Sequence, residues 1–234
     1  MRRVNVLKTV SLLIITLCCN CAMAGVLVSG TRVVYDGHKR ETSLGIKNKD
    51  STSPYLIQTW ADNDGPEGTV KNPVKPPFVI TPPVFRLDAG KENMVRIILT
   101  SPSLPQDRES LYWVNVKSIP ASSKETKNVL QISVKTRIKL IYRPEGIESP
   151  EMDDYKKIMF HQAGNELTVT NPTPYFITFF SLNVGNKPVT TTNIVVPPKG
   201  TAQYLIPVGA IGHDITWQVI NDYGGASPVT TSHL

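Results

Sequence analysis

Proline and glycine interrupt this sequence so often that it cannot contain a core of long helices. The chain has 234 residues, of which 19 are Pro and 15 are Gly. Proline breaks helices and glycine weakens them, and no segment shows a sustained 3.6-residue period of apolar side chains. Short stretches of alternating apolar and polar residues, separated by turn signals, are typical of β-sandwiches instead. The sequence therefore predicts an all-β protein.

The first 24 residues have the pattern of an export signal. Two arginines and Lys8 precede an apolar run from Val10 to Cys19, which ends at the small-x-small sequence Ala22-Met23-Ala24. The run is shorter than the ~18 apolar residues that span a bilayer. We expect residues 1–24 to be a signal peptide that is removed on export, which leaves 234 − 24 = 210 residues.

Removal of this leader changes the cysteine content and the net charge of the chain. All three cysteines (Cys18, Cys19 and Cys21) lie in the leader, so a disulfide scaffold is excluded. A lipid-anchored cysteine is disfavoured because the residues before these positions are not small. Three basic residues are also lost, and the net charge falls from +6 to 22 − 19 = +3. A nucleic-acid partner is therefore not expected.

The remaining chain contains two runs of short predicted strands. They are separated by the acidic segment Pro144–Asp154, which lacks alternation, and each run is near the ~100 residues of an immunoglobulin-like sandwich. We predict two immunoglobulin-like domains, 25–144 and 145–234. The predicted strands are Val33–Tyr35, Thr42–Lys47, Tyr55–Ala61, Phe78–Thr81, Met94–Leu99, Leu111–Val116, Val129–Tyr142, Lys157–Gln162, Glu166–Thr170, Tyr175–Leu182, Asn193–Val196, Thr201–Leu205 and Thr216–Ile220.

Two short segments are predicted to form hairpin turns. Asp36-Gly37 follows the first strand and carries a strong hairpin signal. Asp62–Gly65 resembles the start of a calcium loop, but the later ligand positions do not fit the twelve-residue pattern. We interpret both segments as turns between paired strands.

Motifs of catalysis and metal binding are missing from the sequence. The four histidines are scattered, with no second ligand two or four residues away, and the chain has neither a phosphate-binding glycine loop nor a G-x-S-x-G nucleophile motif. We therefore expect neither an enzyme nor a metal site nor a cofactor. The histidines are His38, His161, His213 and His233.

The predicted strand Val129–Tyr142 alternates most clearly, and its alternation has two interpretations. Its apolar side chains could line the core of their own domain. Alternatively, Leu130, Ile132 and Val134 could lie on an edge strand and be offered to another chain. The polar positions, which include Lys135, Arg137 and Lys139, are interpreted as a solvated strand face rather than as a membrane or polyanion site.

Six segments together resemble the PapD-like family of periplasmic pilus-assembly chaperones. The sequence Leu104–Leu111, followed by Asn115 and Ile119-Pro120, is similar to the signature of that family. The other matching segments occur in the family's order, and they are Thr31–Gly37, Thr81–Val84, Ile138–Pro144, Asn171–Tyr175 and Ile220–Gly225. The eight residues between Pro120 and Val129 (129 − 120 − 1 = 8), without a cysteine pair, resemble the short-loop branch associated with rod-type pili.

The resemblance implies a fold and a binding site. The two immunoglobulin-like domains would form an L, with a pilin subunit bound in the cleft. Arg32 and Lys139 would grip the C-terminal carboxylate of the subunit through charge-assisted hydrogen bonds. Leu130, Ile132 and Val134 would form the donor strand. Lys139 is an odd number of residues from these three, so a straight strand would aim it to the other face. Strand twist and a bulge are the two alternatives that could reconcile the difference.

The resemblance also implies an interdomain contact and a set of partners. Glu109, Arg143 and Asp222 would form ion pairs that fix the interdomain angle. The partners would be pilin subunits and the outer-membrane usher, in the periplasm, with self-association through the donor-strand edge when no subunit is bound. The competing hypothesis is an exported fimbrial subunit or adhesin. A subunit needs its own N-terminal donor segment, for which Val26-Leu27-Val28 is too short.

Overall fold

A computed structural model describes residues 25–69, 75–101, 103–121, 130–210 and 212–234. The predicted signal peptide and most of the short loop after Pro120 lie outside these residues. Within them, no helix is both long enough and apolar enough to cross a membrane. The described chain forms sixteen strands and one short 3-10 helix, Asp154–Lys157. The prediction of an all-β protein is confirmed.

Nine strands form a sandwich of two sheets in the first half of the chain. One sheet has the order β1-β3-β7-β5 and the other β2-β9-β8-β4-β6. Along each strand, every second side chain points towards the other sheet. Ile46 and Val95 of one sheet therefore pack against Ile57 and Leu140 of the other in a buried core. The strands are β1 (Val26–Val28), β2 (Arg32–Asp36), β3 (Glu41–Asn48), β4 (Tyr55–Asp62), β5 (Phe78–Thr81), β6 (Val84–Leu87), β7 (Glu92–Leu99), β8 (Ser110–Pro120) and β9 (Val134–Arg143).

A second sandwich contains the remaining seven strands. Its sheets have the orders β10-β11-β14 and β13-β12-β15-β16. Leu167 and Val169 of one sheet and Ile215 and Trp217 of the other are buried in its own core. The strands are β10 (Met159–Ala163), β11 (Glu166–Asn171), β12 (Phe179–Val184), β13 (Lys187–Pro188), β14 (Gly200–Leu205), β15 (Asp214–Val219) and β16 (Thr230–His233).

Both hairpin predictions are wrong. The turn at Asp36-Gly37 joins β2 to β3, which belong to different sheets, and Asp62–Gly65 leads from β4 towards β5, again in the other sheet. Gly37 is needed for a close approach instead. Its N–H donates to the Arg143 carbonyl at 2.7 Å, and a Cβ at position 37 would lie only 2.8 Å from the same oxygen.

Three predicted strands differ from those observed, and one of them, Tyr175–Leu182, begins only at Phe179 as β12. Asn193–Val196 is not a strand; only Val196 forms an isolated bridge, with Ile177. Strand β9 begins at Val134, five residues later than expected, and its pairing with β8 starts at Ser118. The next inward position on β8 is Pro120, which has no N–H to extend the ladder. The segment Leu130–Ser133 therefore precedes the sheet.

Candidate functional site

Strands β2 and β9 bring two cationic residues together on one face of their sheet. The strands pair in parallel, and Arg32 lies directly opposite Lys139. The neighbouring residues of β9, Ile138 and Leu140, are buried in the core, so Lys139 points to the outer face. The fold therefore places Arg32 and Lys139, which the family resemblance assigned to one site, next to each other.

Burial shapes the electrostatics of this pair. Burial lowers the pKa of Arg32, while the charge of Asp222 raises it in part. Burial and then the charge of Arg32 lower the pKa of Lys139 from 10.5 to about 8. One guanidinium nitrogen of Arg32, Nη1, donates to the carbonyl of Ile220 at 3.1 Å, but its Nε is buried without a hydrogen-bond partner.

The pair has the chemistry of an anion site. Neither cation forms an ion pair within the described part of the chain, and the two neighbouring like charges raise each other's electrostatic energy. A bound carboxylate would offset both charges and accept hydrogen bonds from both side chains. Within the same residues, no cluster of His, Cys, Asp or Glu could hold a metal ion.

The three apolar residues of the predicted donor strand do not line the core of their own domain. Leu130, Ile132 and Val134 are 85%, 66% and 56% exposed. The edge of β9 beside them is open, because β2 pairs with β9 only from Lys139 onward. The described residues thus present an unpaired strand edge next to a row of exposed apolar side chains.

No bulge separates Lys139 from the apolar residues. The pairing of β8 with β9 runs without a register shift from Val134 to Tyr142. Of the two alternatives, a bulge is therefore excluded between Val134 and Tyr142. Lys139 and Val134 therefore point to opposite faces of β9, and Arg32 lies beside Lys139 on the neighbouring strand β2.

Arg143 connects the two domains through two carboxylates. Its Nε and Nη2 donate to Glu109 Oε1 at 2.9 and 2.7 Å, and its Nη1 and Nη2 donate to the two oxygens of Asp222 at 2.7 and 2.9 Å. The second oxygen of Glu109 accepts from the backbone N–H of Phe176 at 2.7 Å. Glu109 is 3% exposed and Arg143 7%. The structure therefore brings together all three residues that the family resemblance assigned to this contact.

The pKa values reflect this burial. Burial raises the pKa of Glu109, against the opposing effect of the Arg143 charge. Burial alone would lower the pKa of Arg143, but its hydrogen bonds to Asp222 and the charges of both carboxylates raise it overall. The guanidinium therefore stays charged.

A tight turn in the second domain presents Asp222 to Arg143. Asn221 Oδ1 accepts from the backbone N–H groups of Tyr223 and Gly225 at 3.1 and 2.9 Å. Gly224 has φ +83°, and a Cβ there would lie 2.6 Å from Thr31 Oγ1 of the first domain. The glycine thus permits both the turn conformation and the close approach of the two domains.

Sequence reasoning missed a buried network beside the cation pair. Arg137 was expected on a solvated face, but its side chain is only 10% exposed and pairs with Asp62. Its Nη1 donates to Asp62 Oδ2 at 2.7 Å and to Asn115 Oδ1 at 2.8 Å. The ring of Trp113 lies 5.0 Å from the Arg137 guanidinium carbon and 5.7 Å from Lys139 Nζ. The only sequence signal was the presence of Asn115 in the family-like signature.

Two family models match nearly the whole of the described chain. The model described as "Pili and flagellar-assembly chaperone, PapD N-terminal domain" matches residues 25–148, and "Pili assembly chaperone PapD, C-terminal domain" matches residues 153–231. The chaperone protein LpfB of Salmonella typhimurium is 40% identical over 238 residues, an alignment that covers 100% of both chains. The chaperone protein FocC of Escherichia coli is 45% identical over 204 residues, 86% of each chain.

Solved structures show the same fold. A chain from the complex of the Salmonella enterica SafA pilin with the SafB chaperone superposes with a TM-score of 0.80 at 31% identity, covering 91% of this chain and 97% of that one. The periplasmic chaperone SfaE gives a TM-score of 0.74 at 40% identity, covering 90% and 100%. The similarity extends over both domains, and the chain therefore belongs to the PapD family of pilus-assembly chaperones.

Proposed function

We propose that this protein is a periplasmic chaperone that binds, folds and caps pilin subunits by donor-strand complementation and delivers them to the outer-membrane usher. The observation that carries the proposal is the open edge of β9, which lies between exposed apolar side chains and two cations that form no ion pair within the described residues. Membership of the family and the pilin complex of a relative support it. The export signal predicted at residues 1–24 supports the periplasmic location.

The open edge would supply the strand that a pilin subunit lacks. Unpaired backbone groups of β9 would form main-chain hydrogen bonds with the subunit, and alternate side chains would enter its apolar groove. Burying Leu130, Ile132 and Val134 in that groove would contribute roughly 1.5–3 kcal/mol each before the cost of ordering. Exchange of this strand for another one requires no catalytic group, and we propose no enzymatic activity.

The same edge would also explain the other proposed associations. When no subunit is bound, two copies could pair through their exposed edges, because an unpaired strand is a template for another strand. Delivery to the usher would then require only that the bound subunit be released as a competing strand replaces β9. Neither step calls for a nucleotide or a cofactor.

Arg32→Ala and Lys139→Ala are expected to weaken subunit binding while the protein stays folded. Loss of one cation from a charge-assisted contact should cost about 1.5–3 kcal/mol, which is roughly a 10- to 150-fold loss of affinity. Subunit levels in the periplasm and the affinity of the purified proteins are the measurements. Arg96→Ala is the matched control, because Arg96 lies exposed on the other sheet of the same domain. If both variants maintain subunit levels equal to those of the wild type, Arg32 and Lys139 do not bind the C-terminal carboxylate of the subunit.

Subunit binding is also expected to weaken as the pH rises above 8. Lys139 has its pKa lowered to about 8, so it is charged below this pH and neutral above it. A carboxylate binds the charged form, and affinity should therefore fall about tenfold between pH 7 and pH 9. Affinity measured across this range tests the expectation. In Lys139→Arg the profile should be flat over the same range, and an equally steep fall in that variant would assign the effect to another group.

A further inference from the structure

We propose that Trp113 is the positioning residue of the cation pair, and that Asp62 and Arg137 hold it in place. In this arrangement Trp113 sets the position of the Lys139 ammonium group beside Arg32, and so sets how strongly the site distinguishes a terminal carboxylate from a neutral chain end. The inference rests on the proposed function of Arg32 and Lys139.

The first support is a row of four side chains across four adjacent strands. Asp62 of β4 is the register partner of Trp113 of β8, Trp113 is the partner of Lys139 of β9, and Lys139 is the partner of Arg32 of β2. Register partners point to the same face of a sheet. The four side chains therefore form one continuous line on the outer face, with the cation pair at one end and a carboxylate at the other.

The second support is the way in which Arg137 is held. Its Nη1 donates to Asp62 and Asn115, and its Nη2 donates to Asp62 and to the carbonyl of Gly65 at 2.6 Å. Asn115 Nδ2 donates to Asp62 Oδ2 at 2.7 Å, and Asn115 is completely buried. Four hydrogen bonds to three partners leave the guanidinium little freedom to move.

The charge of Arg137 is also neutralised locally. Burial alone would raise the pKa of Asp62, but hydrogen bonds from Arg137, the Asp64 backbone and Asn115 lower it overall. Asp62 therefore remains an anion and balances Arg137. Of the cations near Trp113, this leaves Lys139, together with its neighbour Arg32, to bind an external anion.

The third support is the position of the indole. Trp113 is 7% exposed, and its ring lies within 6 Å of both the fixed Arg137 and the Lys139 ammonium. A cation is attracted to an aromatic face, and the attraction is stronger where water is excluded. The locked guanidinium thus fixes the ring, and the ring holds the flexible four-carbon side chain of Lys139 in one place.

The test compares two forms of one ligand. The probe is a short peptide of alternating threonine and valine residues, made either with a free C-terminal carboxylate or with a carboxamide. The ratio of the two affinities measures carboxylate recognition separately from strand pairing. We expect the wild type to prefer the carboxylate, Arg32→Ala to lose most of this preference, and Trp113→Leu to reduce it about two- to fivefold with little change in affinity for the carboxamide.

Three further variants keep the inference falsifiable. Trp113→Phe retains an aromatic face and should retain most of the preference. Val116→Ala is the matched control, since Val116 lies on the same strand with its side chain in the core, and it should lower stability without changing the ratio. Should Trp113→Leu not fold, the double variant Asp62→Asn/Arg137→Met removes the locking pair at constant net charge and should also lower the ratio.

The outcomes separate the two proposals. A wild type without any preference for the carboxylate would contradict the proposed function of Arg32 and Lys139. A wild-type preference that Arg32→Ala removes, but that survives unchanged in Trp113→Leu or in the double variant, would overturn the role of Trp113 alone. A ratio that falls equally in Val116→Ala would also overturn it, because destabilisation of β8 alone would then be enough to explain the loss of carboxylate preference.

Discussion

Arg143→Ala is expected to lower the free energy of unfolding by about 3–5 kcal/mol, because it leaves a buried carboxylate without its partner. Glu109 is 3% exposed and receives two of the hydrogen bonds of Arg143, so without Arg143 its buried carboxylate must either stay charged without a partner or take up a proton, and both cost free energy. Asp222 would lose its bidentate contact at the same time. The two domains would then be held by fewer contacts, and we expect a more variable angle between them.

Thermal and denaturant unfolding measure the first effect, and small-angle scattering measures the second. Arg96→Ala is the control, since Arg96 pairs with Glu41 at 3.5 Å with both side chains largely exposed, and an exposed pair contributes only about 0–1 kcal/mol. An Arg143→Ala protein whose unfolding and scattering match those of the wild type would show that these three residues contribute no more than an exposed ion pair to stability and to the interdomain angle.

Ile132→Glu is expected to abolish subunit binding and to leave the free protein near its wild-type stability. Ile132 is 66% exposed, so a carboxylate at this position is solvated in the free protein. In the complex the same carboxylate would have to enter an apolar groove unpaired, which costs several kcal/mol. The melting temperature and the capture of pilin, measured on one sample, test both halves of the expectation.

Ser133→Glu provides a matched control for Ile132→Glu, since Ser133 is also exposed. It adds the same charge one residue away, where the side chain has the opposite parity and does not point into the groove. This variant should bind. If Ile132→Glu unfolds the domain, or if it captures subunits as well as the wild type does, the donor-strand assignment of Leu130, Ile132 and Val134 is wrong.

The strands that the sequence predicted best are those whose burial follows from local alternation. Thr42–Lys47 and Glu166–Thr170 each have one face in a core, and both appear within one or two residues of their predicted bounds. Turn signals were less informative. Asp36-Gly37 has the composition of a hairpin turn, but the same composition also suits a connection between sheets, and only the packing of Gly37 against Arg143 distinguishes the two.

Some charged residues of the candidate site could be proposed from the sequence, and others could not. Arg32, Lys139 and Arg143 lie in segments similar to a known family, so their positions could be proposed from the sequence. Asp62 and Arg137 could not be paired in advance, because they are 75 residues apart and meet only through the register of β4 and β8 and of β8 and β9. Long-range register depends on the whole sheet rather than on any local pattern.

The start of β2 at Arg32 limits how far a docked strand can extend along β9. From Lys139 onward β2 occupies the edge of β9, so a strand that enters the open part must stop there. A docked strand whose C-terminus is held by Arg32 and Lys139 would then run parallel to β9, and its position along β9 would be fixed by these two cations. From Lys139 back to Leu130 is 139 − 130 = 9 residues, or about 30 Å of extended chain. Because side chains alternate along a strand, one extra residue at the partner's C-terminus would move each of its side chains to the opposite face of the sheet. Two extra residues would return them to the original face. With the proposed carboxylate site, we therefore expect the fold to select a partner by the length and register of its end as well as by its hydrophobicity.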